Sequence, residues 1–238
     1  MRHVVLERWS RGNSVIHRRD PRAKLAALAV FLLVVATASR AVPILAAGLL
    51  AVLLVLLSLA RLPLTQVLLR ASVVLLLTLV LAASVWIAGE PARALALILK
   101  SYLSTVAVLV VVGTTPMPVL LRGLELTRFP RFFLMVIQFL YRYLFVIGEE
   151  ARNMRDAARC RGASVHKLRF RAAAGALAAL FARSYRRATE IHRSMTARGF
   201  MGHLPLSSNL HFGAADAIFL IGGIIVPALV RIFSERFA

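Results

Sequence analysis

The sequence predicts an all-α integral membrane protein with about five transmembrane helices and long amphipathic helices in the cytoplasm. Of its 238 residues, 60% are hydrophobic, and the mean hydropathy is +0.78, which is more apolar than a soluble domain of this size can bury. Lysine and arginine number 30 against 10 acidic residues, so the formal charge is +20. This composition excludes a disordered chain and disfavours an ordinary cytosolic enzyme. The single cysteine, Cys160, excludes an intramolecular disulfide framework.

Five charge-poor runs, each bounded by polar or charged residues, are predicted to cross the membrane, for which a helix needs about 20 apolar residues. They are Leu25–Ser39, Ala41–Ala60, Ala71–Gly89, Ser101–Leu121 and Phe212–Val230. The segment before the first run lacks a convincing cleavage site, so that run is interpreted as a retained span. This leader is rich in arginine, which places the N-terminus in the cytoplasm by the positive-inside rule.

A further apolar run, Phe132–Gly148, is interrupted only by Gln138 and Arg142. If it crossed, the most basic block of the chain, which extends to Arg198, would be exported against the positive-inside bias. We therefore predict a tilted or interfacial helix that continues into the cytoplasm; the alternative is six spans with a basic loop outside. The predicted organisation is a cytoplasmic basic leader (1–24), a four-span region (25–121), interfacial and cytoplasmic helices (122–211), and a last span with its tail (212–238).

Two predicted helix ends in the basic block share one pattern, in which an arginine is followed by glycine. Apolar residues precede each arginine at helical spacing, and the two sets are offset by 37 residues. The first stripe is Ala151, Met154 and Ala158 before Cys160-Arg161-Gly162, and the second is Ala188, Ile191 and Met195 before Ala197-Arg198-Gly199. Each stripe could pack within its own domain. Because the pattern occurs twice, we instead favour docking, in which the stripe is buried in a partner's groove and the guanidinium binds a carboxylate or carbonyls there.

The leader and the two helix ends together resemble a known family. Asp20-Pro21-Arg22-x-Lys24, which leads into the first span, resembles the start of the T components of energy-coupling factor (ECF) transporters. The two arginine–glycine ends resemble the paired Ala-Arg-Gly signatures of the same proteins. The surrounding residues look most like the CbiQ branch, which serves cobalt and sometimes nickel uptake; they are Arg142-Tyr143-Leu144-Phe145, Glu149-Glu150, Met154-Arg155, Met195-Thr196-Ala197-Arg198-Gly199-Phe200 and Leu204-Pro205. Cys160 stands where the family usually has alanine; it is small and apolar, so we expect the helix to dock still.

The resemblance implies a transporter subunit rather than an enzyme. Such a T component is a multi-pass scaffold of the inner cell membrane that binds two ABC-type ATPases and a separate membrane protein that captures the substrate. Arg161 and Arg198 would each dock one ATPase, and ATP and Mg²⁺ would be bound by those partners. One alternative keeps the family but changes the cargo to a vitamin such as biotin, or shares the subunit among several capture proteins. Another alternative is a basic membrane anchor that binds anionic lipid or nucleic acid. Under the ECF interpretation we expect no nucleic acid among the partners.

The sequence carries no catalytic or metal-binding constellation. It has no G-x-x-x-x-G-K-[S/T] phosphate loop, so we expect no ATP site on this chain and no cofactor of its own. No histidine pair has the i, i+4 spacing that suits a metal ion, and His3, although at the third position, is not assigned as a metal site. Asp216, near the start of the last span, is interpreted as an interfacial group or a charge at a helix N-terminus.

Overall fold

The computed structural model describes residues 9–10, 12, 14–38, 42–127, 129–162, 170–202 and 212–236. Eight long helices account for most of these residues, and none of the described residues forms a strand. The helices are α1 (Pro21–Thr37), α2 (Val42–Leu59), α3 (Leu64–Ile87), α4 (Pro91–Thr114), α5 (Met117–Leu126), α6 (Arg131–Cys160), α7 (Phe170–Ala197) and α8 (Ala214–Arg236). The predicted all-α class is confirmed.

Four helices in the described part of the chain are long and apolar enough to cross a membrane: α3, α4, α6, and α8 from Ala214 to Ser234. The first two predicted spans form shorter helices, α1 with 17 residues and α2 with 18. Helix α6 continues without a break from the apolar Phe132–Gly148 into the basic block, as predicted. By length and composition α6 could also cross the membrane, whereas the sequence analysis favoured a tilted or interfacial helix over a sixth span.

Two predicted spans differ from the helices that carry them. Helix α3 begins at Leu64 rather than at Ala71, and α4 begins at Pro91 rather than at Ser101 and ends at Thr114. The predicted boundaries followed charged residues, but Arg70 and Lys100 lie inside these helices. The Arg70 guanidinium lies 4.3 Å from the centroid of the Trp9 ring. Lys100 Nζ donates hydrogen bonds to two carbonyls at the end of α1. A charged residue that has an aromatic ring or backbone carbonyls as its partner can therefore lie within a helix that the sequence predicted to end there.

The chain divides into two compact units. Unit 1 comprises Met1–Thr127 and Ser208–Ala238, and unit 2 comprises Arg128–Ser207. The core of unit 1 is formed mainly by α1, α2 and α4, with fully buried side chains such as Leu49, Leu57 and Val106. Helix α8 packs on α1 and α2 through small residues: a Cβ built on Gly223 would lie 2.7 Å from Ala27 Cβ. This close approach is typical of helix packing in membranes.

Unit 2 consists of α6 and α7, which contact each other over a short length. Residues from both helices, among them Ile147 and Leu180, line a shallow cleft where they meet, and Arg183 forms an ion pair with Glu150 there. Among the described residues of this unit only Leu134 is buried. Two long helices with so little mutual burial leave most of their surface open to partners or lipid.

Candidate docking surface and membrane anchor

The first predicted docking end has the geometry of a glycine-terminated helix. Helix α6 ends at Cys160, and the Arg161 backbone N–H donates to the carbonyls of Ala157 (3.3 Å) and Ala158 (3.1 Å). The Gly162 N–H donates to the Arg159 carbonyl at 2.9 Å, and Gly162 has φ +83°. This left-handed conformation is easy for glycine and costly for other residues.

The second docking end has a closely similar form. Helix α7 ends at Ala197, and the backbone N–H groups of Arg198 and Phe200 both donate to the Met195 carbonyl, at 3.0 and 3.1 Å. Gly199 has φ +77°. Both predicted helix ends are therefore confirmed, and in each the arginine is the last residue before a left-handed glycine.

The predicted docking residues are accessible in unit 2. Arg161 and Arg198 are exposed, and neither guanidinium forms an ion pair with a residue that the structure describes. Cys160 and Ala197, which precede them, are exposed as well. Of the stripe residues, Ala158 and Ala188 are exposed and the other four are half-buried: Ala151, Met154, Ile191 and Met195. The structure leaves these side chains free to bind a partner, and the docking role itself stays a prediction.

The stripe on α7 extends further towards the start of the helix than the sequence analysis recognised. Leu177, Phe181 and Tyr185 follow one another at i, i+4 and i+8, so they share one face of the helix. They are 67%, 72% and 69% exposed. These three residues lie more than three turns before Arg198, beyond the part of the helix where the two arginine–glycine ends match. The apolar stripe of α7 therefore begins at Leu177, whereas the predicted stripe began at Ala188.

We predict that Gly162→Ala and Gly199→Ala weaken the helix ends. A Cβ at either position meets nothing within 4 Å, so the penalty comes from backbone strain alone, about 1–2 kcal/mol per residue. Amide hydrogen exchange over the last turns of α6 and α7 measures it, and we expect faster exchange there. Gly175→Ala is the matched control, because Gly175 lies inside α7 with equally open space, and alanine there should slow exchange. Equal changes in amide exchange for all three variants would contradict the assignment of Gly162 and Gly199 as left-handed helix caps.

The N-terminal motif forms the first turn of α1. Asp20 caps the helix, since its Oδ1 accepts a hydrogen bond from the Arg22 N–H at 2.8 Å, and Pro21 follows at the first helical position. The Asp20 N–H donates to Asp216 Oδ1 at 3.0 Å. Asp20 and Asp216 are 5% and 8% exposed. Asp216 Oδ2 also accepts from the Gly213 N–H at 3.0 Å, which confirms its interpretation as a charge at a helix N-terminus.

Lys24 lies in the same turn of α1 and binds the end of α4. It is 2% exposed, and its Nζ donates to the Thr114 carbonyl (3.1 Å) and to Thr115 Oγ1 (2.9 Å). A cation is favourable at this place because Thr114 ends α4, where free carbonyls carry partial negative charge. The charged residues of the motif therefore satisfy the start of α1 and the end of α4, and the Asp20 backbone joins α1 to Asp216 of α8.

No metal site emerges from the residues that the structure describes, among which no group of three or more histidine, cysteine or acidic side chains comes together. The ring of His17 is engaged by Ser14 Oγ (2.7 Å) and by the Trp9 carbonyl (2.9 Å). His192 is exposed on α7. The other four histidines lie outside the described residues: His3, His166, His203 and His211.

Unit 1 also contains a cavity of about 520 Å³ between α1, α2, α4 and α8. Its walls are formed by apolar side chains such as Phe31, Leu53 and Phe219, and by glycines of α8. Lys24 and Thr114 are the polar residues of its lining. The cavity therefore offers a surface for hydrocarbon rather than ligands for a cation.

Comparison with known proteins identifies the family. The family model CbiQ, described as cobalt transport protein, matches residues 12–209, which include the first turn of α1 and both arginine–glycine ends. This chain belongs to the CbiQ family. The expected family is thereby confirmed, and the CbiQ-type chain is a membrane component of a transporter.

Two relatives agree with this assignment. The cobalt transport protein CbiQ of Rhodobacter capsulatus is 31% identical over 119 residues, which span 50% of this CbiQ-family chain and 49% of that protein. The energy-coupling factor transporter transmembrane protein EcfT of Bacillus selenitireducens is 27% identical over 98% of this chain and 97% of its own length. The second match extends the likeness to both units.

Proposed function

We propose that this CbiQ-family chain is the transmembrane scaffold of an ECF-type importer. It couples ATP hydrolysis in two ABC-type ATPases to the uptake of cobalt ion, which a separate membrane subunit captures. The observation that carries the proposal is the pair of matching helix ends in unit 2, where exposed Arg161 and Arg198 each follow an apolar stripe and precede a left-handed glycine.

Each end presents a surface that fits a groove in an ATPase. The stripe supplies apolar area, and the guanidinium beyond it forms paired hydrogen bonds to a carboxylate or to backbone carbonyls in the groove. The left-handed glycine turns the chain away immediately after the arginine, so the arginine is the outermost residue of its helix. Because the two ends share sequence and backbone form, we assign one ATPase to each.

Movement of one ATPase reaches the other through the contact between the two helices. Helices α6 and α7 meet around Ile147 and Leu180, and Arg183 pairs with Glu150 beside them. The contact lies in the middle of both helices, away from the docking ends. Closure of the ATPases on ATP would therefore rotate α6 and α7 about this point, and that rotation would move the capture subunit.

Cobalt is the proposed cargo because the matching family is described as cobalt transport protein and the Rhodobacter relative carries the same description. The capture subunit supplies the metal ligands, and the ATPases bind ATP and Mg²⁺. We place the chain in the inner cell membrane with the N-terminus in the cytoplasm, where its arginine-rich leader and the basic helices meet ATP.

The test combines purification with transport. The tagged chain is co-expressed with its neighbouring genes, purified in mild detergent, and its partners are identified by mass spectrometry; uptake of ⁵⁷Co²⁺ and of labelled biotin is then measured in the same cells. We expect an ABC ATPase and a membrane protein to co-purify, and cobalt uptake to stop when the phosphate-loop lysine of the ATPase is replaced. ATPase-dependent biotin uptake without cobalt uptake would show that the transported substrate is biotin and not cobalt. Absence of any ATPase from the purified chain would overturn the proposal.

A further inference from the structure

The first turn of α1, Asp20–Lys24, contacts α5 and the start of α8, the two helices of unit 1 that lie next to the links to unit 2. The chain leaves unit 1 after Thr127, directly beyond α5, and returns to it at Ser208, shortly before α8. Helices α5 and α8 are therefore the helices of unit 1 next to the two covalent links to unit 2.

The outgoing link is held by Lys24 and Pro21. Lys24 Nζ donates to Thr115 Oγ1 at 2.9 Å, and Thr115 lies in the short connection between α4 and α5. Helix α5 then packs directly on the turn: a Cβ built on the buried Gly123 would lie 3.0 Å from Pro21 Cβ and 3.1 Å from Pro21 Cγ. A side chain at this position would crowd Pro21, so glycine favours this close approach of the two helices.

The returning link is held by Asp20. Its backbone N–H donates to Asp216 Oδ1 at 3.0 Å, and the other oxygen of Asp216 accepts from the Gly213 N–H, also at 3.0 Å. Asp216 lies in the first turn of α8, so these bonds tie the start of α8 to the start of α1. Both carboxylates are buried, and the bond between the Asp20 N–H and Asp216 is buried as well, so water does not compete for it.

We propose that Asp20, Pro21 and Lys24 are positioning residues that anchor both links to unit 2 on one turn of α1. With both links fixed, a rotation of unit 2 drives the membrane helices instead of being absorbed by loose connections. This part of the inference rests on the proposed function, since it assumes that ATPases move unit 2. The anchor itself is a property of the chain alone and can be tested without them.

The chain offers a matched control for a purely structural role. Lys100 Nζ donates to the carbonyls of Ala36 (3.2 Å) and Ala38 (2.5 Å), at the opposite end of α1. It satisfies a helix end with the same chemistry as Lys24 but touches neither link. Lys24→Met and Lys100→Met therefore remove the same kind of interaction, and only the first removes a contact of the anchor.

The first measurement is a distance distribution between two spin labels on the full-length chain in nanodiscs. One label is placed on the native Cys160, which is the single cysteine and is exposed, and the other on Gln66→Cys, an exposed position in the first turn of α3. We expect Lys24→Met to broaden the distribution between the units and Lys100→Met to leave it as in the wild type. Gly123→Ala, which forces α5 away from Pro21, should broaden it as well and replaces Lys24→Met if that variant does not fold. Equal widths in all variants would overturn the anchor.

The second measurement is cobalt uptake per ATP hydrolysed by the purified complex after reconstitution into proteoliposomes. We expect Lys24→Met and Gly123→Ala to keep their ATPases and to lower this ratio about fivefold or more, whereas Lys100→Met keeps the wild-type ratio. An equal fall in Lys100→Met would show a merely structural role and overturn the proposal. If the wild type binds no ATPase, the proposed function fails, and the spin-label distances still decide whether the anchor exists.

Discussion

The double variant Arg161→Glu, Arg198→Glu is expected to lose both ATPases while it keeps its fold and its membrane partner. Both side chains are exposed, so their replacement breaks no contact among the described residues of unit 2. In a docked groove, however, each glutamate would meet the carboxylate or carbonyls that the guanidinium had bound. An arginine anchor at an interface is commonly worth about 30-fold in Kd, and the loss of two anchors is larger still.

The measurement is retention of the ATPases on the tagged chain in mild detergent, titrated with purified ATPase. Each single variant should bind ATPase more weakly than the wild type but not lose it, because the other, intact helix end still holds one ATPase. Arg193→Glu is the control: Arg193 is exposed on α7 but lies on the side of the helix away from the stripe of Ile191 and Met195. We expect this variant to bind as the wild type does.

Lysine at both positions separates geometry from charge. Arg161→Lys, Arg198→Lys keeps the positive charge but loses the planar fork, so docking predicts clearly weaker binding. If charge alone were responsible, as in a basic anchor for lipid or nucleic acid, the lysine variant would behave as the wild type. Arg193→Glu would then be as harmful as either single glutamate variant. That pair of results would contradict docking.

The variant Gly223→Leu is expected to lower the free energy of unfolding of unit 1 by about 1–3 kcal/mol, the cost of inserting a side chain into a packed contact. A Cβ at Gly223 would lie 2.7 Å from Ala27 Cβ and 3.7 Å from the Ala27 Cα. The nearest atoms belong to the α1 backbone and its first side-chain carbon, so no rotamer change can make room. Helix α8 would have to move away from α1 along its length.

Gly222→Leu is the control for this prediction. Gly222 precedes Gly223 on α8 and also lines the apolar cavity, but a Cβ there meets nothing within 4 Å. Leucine at this position enters open space, so we expect unchanged or slightly raised stability. Unfolding by SDS titration in mixed micelles measures both variants. Equal losses would show that the contact between α8 and α1 is not as close as the structure places it.

Local patterns in the sequence predicted several elements correctly. The glycine after Arg161 and after Arg198 identified the ends of α6 and α7, because a left-handed cap depends on residues next to each other in the chain. The helical spacing before each arginine identified residues that share one face of a helix for the same reason. The continuity of α6 through Gly148 was also predicted, since no strong helix breaker interrupts it.

Partners distant in sequence were beyond these patterns. Arg70 and Lys100 were predicted to lie just outside two spans, yet both lie inside helices. The Arg70 guanidinium stacks on the Trp9 ring, and Lys100 Nζ donates hydrogen bonds at the end of α1. Asp20 and Asp216 are 196 positions apart, and no local rule joins them. Lys24 was recognised as part of a motif, but its carbonyl partner at the end of α4 was not.

The sequence by itself therefore determined the all-α membrane class, the family, the arginine–glycine ends of α6 and α7, and the apolar stripes before them. These features depend on composition and on residues within a few turns of one helix. The tertiary structure decided that Asp20–Lys24 is a buried junction of α1, α4, α5 and α8. The charges of Lys24 and Asp216 are buried with hydrogen bonds from residues distant in sequence, and those partners are brought together by packing rather than by the local sequence.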